Sequence, residues 1–318
     1  MRVAVCVATY RRPDRLARLL DSVSRLTFRQ GPAPEVMIVV VDNDGSGSAR
    51  EVVERARPAL PWPVVYAVEA VQGISHARNR AVAVALDGGA DFVAFVDDDE
   101  IVAASWLDEL VDVQARYAAD IVAGPVLPRY EAGTPRWVAR GRFFEQPRHA
   151  TGTPLAFAAT NNVLISARLL RSPDGAFDVR FALTGGEDTH FFMRARRRGA
   201  RMVWADGAVV EDAVPSHRAT VRWLLQRHFR EGNSIVWCER AVLRERRWIA
   251  IRIAKAFGRI GQGALLLPVG VLRGRAGVVG ALCRVLRGAG ALSALWGVRY
   301  EEYGAKPGAV ARRTGGPR

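Results

Sequence analysis

Four continuous apolar runs of strand length, separated by helical patterns, constrain the fold of the first hundred residues more than any other feature. They span residues 3–7, 36–41, 64–68 and 92–96. Strands that are apolar throughout are buried on both faces, and their alternation with helices favours a parallel sheet covered on both sides. We therefore predict an α/β fold with a mostly parallel central sheet, whose ligands bind beyond the carboxyl ends of the strands.

The chain then continues with weaker signals as far as residue 235. Residues 125–160 are rich in Gly, Pro and aromatic residues without a clear period, which predicts loops and short antiparallel strands. A strand is predicted at 162–165, a helix at 189–198 and a short strand at 202–204. These elements complete a single domain over residues 1–235.

The basic charge is concentrated in the last quarter of the chain. The formal net charge is +14, and residues 236–318 carry 16 basic and 4 acidic residues, a net of +12. The rest of the chain is close to neutral, so we predict a separate basic region over 236–318, with a disordered tail from Lys306. An excess of this size suggests an anionic partner.

Residues 249–298 combine Ala, Leu, Val and Gly with regularly spaced basic residues. Arg252, Lys255 and Arg259 fall on one predicted helical face. The other face carries Ile249, Ile253, Ala256 and Ile260. No window of about 18 residues is free of charge, which argues against a spanning helix and favours basic amphipathic helices in a membrane interface, separated at 261–270. A helical tail that packs on itself or on a partner is an equally weighted alternative.

Three adjacent carboxylates, Asp97, Asp98 and Asp99, follow the fourth apolar run directly. Their mutual repulsion at the end of a buried strand requires a counter-charge, which Mg²⁺ or Mn²⁺ can supply. Because alternate side chains of an extended segment share a face, Asp97 and Asp99 can converge on one cation while Asp98 points elsewhere. The alternative is a solvated acidic turn that caps the next helix.

Four further polar clusters lie where strands end or helices begin. They are residues 9–13, 42–46, 73–79 and 184–190. Arginines and backbone N–H groups at such helix starts can bind phosphate, and a carboxylate there can act as a general base. Taken singly, each cluster is also typical of a turn or a helix cap, which is the favoured interpretation for residues 42–46 and 184–190. The motifs G-x-G-x-x-G and G-x-x-x-x-G-K-[ST] are absent from the expected positions, which removes the main support for nicotinamide-dependent and P-loop enzymes.

In order and spacing, these clusters together resemble glycosyltransferase family 2, which has the Rossmann-like GT-A fold. The resemblance covers roughly residues 3–235. The acidic triplet resembles the D-x-D motif of that family, and Gly186-Glu187-Asp188 resembles its E-D motif. The resemblance implies a metal-dependent, inverting transfer from a nucleotide-sugar donor.

The resemblance also implies donor-binding residues. Asp42 would bind the nucleobase, and Arg78 would lie near the ribose or the phosphates. Asp98 would contact the ribose or the metal. The segment beside the nucleobase would be Thr9, Tyr10 and Arg11. UDP is the commonest donor nucleotide in the family, whereas GDP and dTDP stay open.

For catalysis, the resemblance implies that Asp97 and Asp99 hold Mn²⁺ or Mg²⁺. Asp188 would be the general base for the acceptor hydroxyl, and Glu187 would orient the site. Some family members carry a metal-binding His after the last strands. His217 is the candidate for that role here, with Glu211 as an alternative.

The hydrophobic basic C-terminal region suggests an acceptor at a membrane, either a glycan or a polyprenyl-linked glycan. The three scattered cysteines and the absence of a secretory signal pattern predict a cytoplasmic enzyme, peripheral on the inner face of the cell membrane. A nucleic-acid binder is disfavoured, because the basic residues lie among Ala, Leu, Val and Gly rather than aromatics. A non-catalytic sugar-nucleotide-binding or scaffold protein and a nucleotidyltransferase are the remaining alternatives.

Overall fold

A computed structural model describes residues 1–171, 176–243, 245 and 247–301, so the tail predicted from Lys306 lies outside the described residues. Numbered in chain order, the strands of its main sheet are β1 Arg2–Thr9, β2 Glu35–Asp42, β3 Val64–Val68, β4 Phe92–Val96, β6 Ile121–Ala123, β8 Asn162–Ser166 and β9 Met202–Trp204. Their order is β3-β2-β1-β4-β8-β6-β9, and β8 alone runs antiparallel to its neighbours. The predicted, mostly parallel sheet is confirmed.

Helices cover both faces of this sheet. They are α1 Pro13–Val23, α2 Arg50–Ala56, α3 Ile74–Asp87, α4 Trp106–Tyr117, α6 Ala167–Leu170 and α7 Glu187–Arg197. The short helix α5 Arg136–Arg140 packs instead against the C-terminal part of the chain. Side chains of β1 alternate between two cores, with Val5 packed in the cluster that contains Leu16 of α1 and Cys6 in the cluster that contains Ala81 of α3. This alternation is why the strand is apolar at every position.

A second, smaller sheet forms beside the carboxyl edge of the first. Its strands are β5 Glu100–Val102, β7 Val126–Tyr130 and β10 Val210–Val214, in the order β5-β10-β7. The antiparallel strands predicted within 125–160 are wrong for β7, which pairs in parallel with β10, beginning at Val126 and Val210. Among the described residues, antiparallel pairing in this segment is limited to a single bridge between Pro154 and Val203. Composition indicated a strand there, but its partner comes from a distant part of the chain.

Three long helices end the described chain: α8 Val221–Val242, α9 Arg247–Leu272 and α10 Gly274–Leu295. The predicted boundary between residues 235 and 236 falls inside α8, and the division into two domains stays a prediction. By length and composition α10 could span a membrane. In the structure it packs against both α8 and α9.

Two expectations about the C-terminal region are wrong. The predicted break at 261–270 is absent, because α9 continues through it, with Pro268 inside the helix. A Cβ atom at Gly263 would lie 2.7 Å from the Ala281 carbonyl oxygen, so this glycine permits close helix packing instead of a break.

The predicted faces of α9 are wrong at three positions. Ala256 is buried and Lys255 is exposed, as predicted, whereas Arg252 and two isoleucines are reversed. Arg252 is buried and its Nε donates to Glu239 Oε2 of α8 at 2.7 Å. Ile249 and Ile253 are 37% and 38% exposed. The ion pair with α8 turns the arginine inward and leaves the large apolar side chains outside.

Candidate active site

The acidic triplet lies where β1 and β4 end side by side. The carboxyl ends of adjacent parallel strands meet at one edge, and Thr9 Oγ1 of β1 donates to Asp98 Oδ2 at 2.8 Å. Burial raises the pKa of Asp98 to about 6, although the charge of Arg12 opposes the rise. Thr9 and Asp98 are therefore brought together, as the motif order suggested.

Asp99 is held by a cluster of arginines. Its Oδ2 atom lies 2.7 Å from Arg15 Nη1, 3.3 Å from Arg218 Nη2 and 3.4 Å from Arg12 Nη1. Sequence reasoning did not single out Arg15 or Arg218. The spacing of Arg12 and Arg15, one turn apart at the start of the first helix, was the available signal for one of them.

Arg78 joins the acidic triplet to the start of α7. Its Nη2 atom is 3.2 Å from Asp97 Oδ1, and its Nη1 atom forms a buried ion pair with Glu187. Burial, together with the charge of Asp188, raises the pKa of Glu187 to about 7 against the opposing charge of Arg78. Within the part of the chain that the structure describes, Glu187 Oε2 is buried without a hydrogen-bond partner.

The position of Asp188 follows from the glycine before its helix. Gly186 has φ +92°, a conformation that L side chains rarely adopt, and a Cβ atom there would lie 3.2 Å from Cys238 Sγ of α8. The glycine thus allows the first turn of α7 to dock closely on α8. Asp188 Oδ1 accepts a hydrogen bond from the backbone N–H of Thr189, and its carboxylate lies close enough to Glu187 to raise that residue's pKa.

Asp42 is buried and holds a loop. Its carboxylate accepts hydrogen bonds from the backbone N–H groups of Asp44 and Ala49 and from the hydroxyl of Tyr66, at 2.7–3.0 Å. These three bonds satisfy both oxygens within the protein. The role of Asp42 toward a nucleobase stays a prediction.

Tyr10 and Arg11 lie at the same edge with open access to solvent. Tyr10 is 38% exposed, and the Arg11 guanidinium lies 5.1 Å from the centre of its ring. Arg11 also pairs with Asp44 at 2.8 Å. An exposed aromatic ring beside a fixed arginine can contact a planar base.

Two carboxylates to which the sequence motifs gave no role face this edge from the second sheet. Glu100 of β5 pairs directly with Asp212 of β10, and like charges in opposite positions of an antiparallel pair repel. Burial and the neighbouring charge of Asp97 raise the pKa of Glu100, while burial and Asp99 raise that of Asp212 to about 6. Asp212 Oδ1 is buried and has no hydrogen-bond partner among the described residues.

Strand register separates Asp212 from the two residues that sequence reasoning favoured. Glu211 lies on the opposite face of β10, is exposed and pairs with Arg129 at 3.8 Å. His217 lies beyond the strand and is exposed. Its part in metal binding stays a prediction. In the described ranges, no three His, Cys, Asp or Glu side chains are arranged closely enough to hold a metal ion.

The geometry can be compared with known proteins. A sequence model of the family described as glycosyl transferase family 2 matches residues 4–172. The chain belongs to this family. It is also 32% identical, over 312 residues, to the succinoglycan biosynthesis protein ExoM of Rhizobium meliloti (strain 1021), with 96% of this chain and 97% of ExoM covered. The chain is therefore a glycosyltransferase, as the resemblance implied.

Solved structures show the same fold at low identity. The mannosyltransferase PcManGT from Pyrobaculum calidifontis, in complex with GDP-Man and Mn²⁺, superposes on the transferase with a TM-score of 0.58 at 20% identity, covering 92% of this chain and 87% of PcManGT. S. aureus TarS 1-349 in complex with UDP-GlcNAc gives a TM-score of 0.51 at 16% identity, covering 95% and 93%. The predicted GT-A fold is confirmed.

Proposed function

We propose that the transferase moves a sugar from a nucleotide-sugar donor, a UDP-sugar first among them, to a hydroxyl of a glycan or polyprenyl-linked acceptor. The transfer depends on a divalent metal, inverts the anomeric centre and serves synthesis of a polysaccharide or glycoconjugate. The family membership supports the class of reaction. The similarity to ExoM, a succinoglycan biosynthesis protein, supports the polysaccharide assignment.

The observation that carries the proposal is the position of Arg78 between Asp97 and Glu187. A single buried guanidinium ties the acidic strand end to the first turn of α7. The Arg78 guanidinium therefore has residues assigned to the donor on one side and residues assigned to the acceptor hydroxyl on the other. This proximity is what a direct displacement between two bound substrates requires.

The donor binds along the edge formed by β1 and β4. Tyr10 and Arg11 lie beside the base, with Thr9 and Asp98 next to the ribose. Arg12, Arg15 and Arg218 present guanidinium groups in a form that suits a diphosphate, since arginine binds phosphate oxygens in pairs. Asp42 acts through the loop that it holds.

The carboxylates at this edge fit Mn²⁺ or Mg²⁺. Asp97 and Asp99 would hold the cation, with oxygens of the donor diphosphate as further ligands. Asp212, whose Oδ1 is buried without a partner among the described residues, would add negative charge nearby. Crowding of Glu100 and Asp212 gives the edge an excess of negative charge that a hard cation relieves. A bound divalent ion neutralises charge that develops on a departing diphosphate.

Asp188 accepts the proton of the acceptor hydroxyl. The hydroxyl oxygen forms a bond to the anomeric carbon as the bond to the nucleoside diphosphate breaks on the opposite face, which inverts the configuration. Glu187 is buried against Arg78 and keeps the first turn of α7 in place. A base on a helix that begins at a fixed glycine is held in one orientation.

The acceptor is presented at the inner face of the cell membrane, where the enzyme binds peripherally from the cytoplasm. From Arg247 to Tyr300 the sequence has no acidic residue. The large apolar residues of α9 point outward, with Phe257 60% and Leu265 80% exposed. Exposed apolar and basic groups in one region are typical of a surface that binds an anionic bilayer.

The test is release of nucleoside diphosphate from a panel of nucleotide sugars, with Mn²⁺ or Mg²⁺ and with EDTA, in the presence of membrane extract as a source of acceptor. Metal-dependent release from one donor is expected. Release of pyrophosphate instead would identify a nucleotidyltransferase. Donor binding without release from any sugar, in extract that supports a control transferase, would favour the non-catalytic alternative.

A further inference from the structure

A cavity of about 460 Å³ opens between α5 and the turn that joins α9 to α10. Its charged lining consists of four arginines, Arg140, Arg273, Arg275 and Arg284, and none of its lining residues is acidic. Four guanidinium groups around one cavity repel each other. An anion that enters the cavity relieves this repulsion.

The four arginines differ in what holds them. Arg275 lies 4.9 Å from the ring centre of Trp137, and Arg284 donates to the Gly280 carbonyl at 2.9 Å. The side chains of Arg140 and Arg273 make no hydrogen bond or ion pair with any other residue that the structure describes. Two charged groups are therefore available to a ligand, beside two that are already positioned.

The backbone adds positive potential at the same place. The long helix α10 starts in this wall of the cavity at Gly274, and its first turn has neither an acidic residue nor a capping side chain. Its first amide groups therefore keep their partial positive charge. The helix end adds to the positive potential of the arginines.

An exposed apolar edge borders the cavity. Val271 and Leu272, the last residues of α9, are 64% and 88% exposed and directly precede Arg273. Leu265, two turns earlier, is 80% exposed. Apolar side chains beside guanidinium groups match the boundary between the acyl chains and the headgroups of a bilayer.

We propose that this cavity binds the phosphate headgroup of an anionic phospholipid while Val271 and Leu272 insert among the acyl chains. The inference rests on the membrane association in the proposed function and gives it a specific site. Charge complementarity favours a lipid phosphate, and the adjoining apolar edge favours a bilayer over a soluble phosphate.

Packed aromatic and basic side chains connect this lipid site with the active site. One set of contacts runs from Arg275 through Trp137 to Phe143. The next residue in the chain, Phe144, stacks on Trp223, which contacts Arg218. Arg218 binds Asp99 at 3.3 Å. A lipid held in the cavity would therefore place the active site at a limited distance from the bilayer surface.

The test is flotation of the full chain with phosphatidylcholine vesicles that contain or lack phosphatidylglycerol. We expect flotation only with phosphatidylglycerol. Arg140→Gln/Arg273→Gln should weaken the partition about thirtyfold, since each basic residue near an anionic surface strengthens binding about fivefold. The matched control, Arg196→Gln/Arg197→Gln, changes the same charge on exposed residues of α7 and should reduce partition less than twofold.

A second variant, Leu272→Asp, removes insertion without disturbing a buried contact and should also abolish flotation. Equal losses in the two double variants would overturn the site, because net charge alone would then explain binding. Unchanged flotation of Arg140→Gln/Arg273→Gln would overturn it as well. So would binding of inorganic phosphate that needs Arg140 and Arg273, measured by calorimetry, in a protein that ignores phosphatidylglycerol.

Nucleoside-diphosphate release separates this inference from the proposed function. Arg140→Gln/Arg273→Gln should hydrolyse donor at the wild-type rate in the absence of vesicles, because neither residue contacts the active site. If the wild-type protein released no diphosphate yet floated in an Arg273-dependent manner, the proposed function would fail and the lipid site would stand.

Discussion

The sheet region and the α9–α10 pair bury their residues in opposite ways. In the sheet, large branched side chains such as Ile38 and Leu164 are fully enclosed. In the helix pair, small residues occupy the contacts, and Phe257 and Leu272 point to the outside. The first pattern is that of a core that excludes water, and the second is that of helices that pack by close backbone approach.

This difference in burial indicates a different role for each region. A sheet buried on both faces fixes the strand ends and hence the carboxylates and arginines between them. A helix pair with small residues inside and apolar residues outside leaves a surface that water solvates poorly. One region holds charged groups in place, and the other exposes apolar side chains, as the proposed contact with a membrane requires.

The largest expected effect is in the sheet region. Asp188→Asn should slow sugar transfer by roughly 10²–10⁴-fold, because the acceptor proton loses its base. Donor binding should stay close to wild type, since the donor is assigned to the edge of β1 and β4. Single-turnover transfer and donor titration measure the two quantities. Asp87→Asn, an exposed carboxylate at the end of α3, is the control, and wild-type transfer by Asp188→Asn would contradict the assignment.

The next largest effect is expected where α10 packs closely against α8. In Gly290→Ala the new Cβ atom would lie 2.0 Å from the Phe229 carbonyl oxygen. The forced separation of α10 and α8 should lower the free energy of unfolding by about 3 kcal/mol. Urea titration followed by circular dichroism measures it.

Gly258 of α9 provides the matched control for that variant. No atom lies within 4 Å of its Cβ position, so Gly258→Ala should stabilise the protein by about 1 kcal/mol through helix propensity alone. Equal changes in the free energy of unfolding for Gly290→Ala and Gly258→Ala would show that α10 and α8 are not in close backbone contact.

A smaller effect concerns the buried charge at the start of α7. The pKa of Glu187 is raised to about 7 in the folded protein, so the folded state binds more protons than the unfolded state between about pH 4.5 and 7. Its contribution to stability is thus present at low pH and is lost as the pH rises through 7. The free energy of unfolding of the wild type, minus that of Glu187→Gln, should fall by about 3 kcal/mol as the pH rises from 4.5 to above 7.

The control for the pH experiment is Glu51→Gln, in an exposed pair with Arg55 on α2. Its unfolding curve should follow the wild-type curve at every pH. A difference that stayed flat between pH 4.5 and 7 and fell only below pH 4.5 would mean that Arg78 dominates over burial and that Glu187 is ionised at neutral pH.

The smallest expected effect compares one residue type in the two regions. Leu272→Ala should change the free energy of unfolding by less than about 0.5 kcal/mol, because its side chain is exposed. Leu164→Ala should cost about 2–5 kcal/mol, because Leu164 is fully buried in the sheet. A large loss in Leu272→Ala would show that α9 is covered by another part of the chain in solution.

Local patterns determined the sheet and the order of its clusters. The runs at 3–7, 36–41 and 92–96 predicted buried strands because a strand apolar at every position must be covered on both faces. The same reasoning predicted that polar residues after these strands would meet. The contact between Thr9 and Asp98 agrees with that expectation.

Tertiary structure decided whatever depends on contacts between distant segments. Asp212 faces the acidic edge and Glu211 does not because β10 pairs with β5 in one register, and a shift by one residue would exchange them. Arg252 turns inward because it forms an ion pair with Glu239 on the neighbouring helix α8. Periodicity assigns residues to a face of an element, whereas the identity of the inner face depends on the partner against which that element packs.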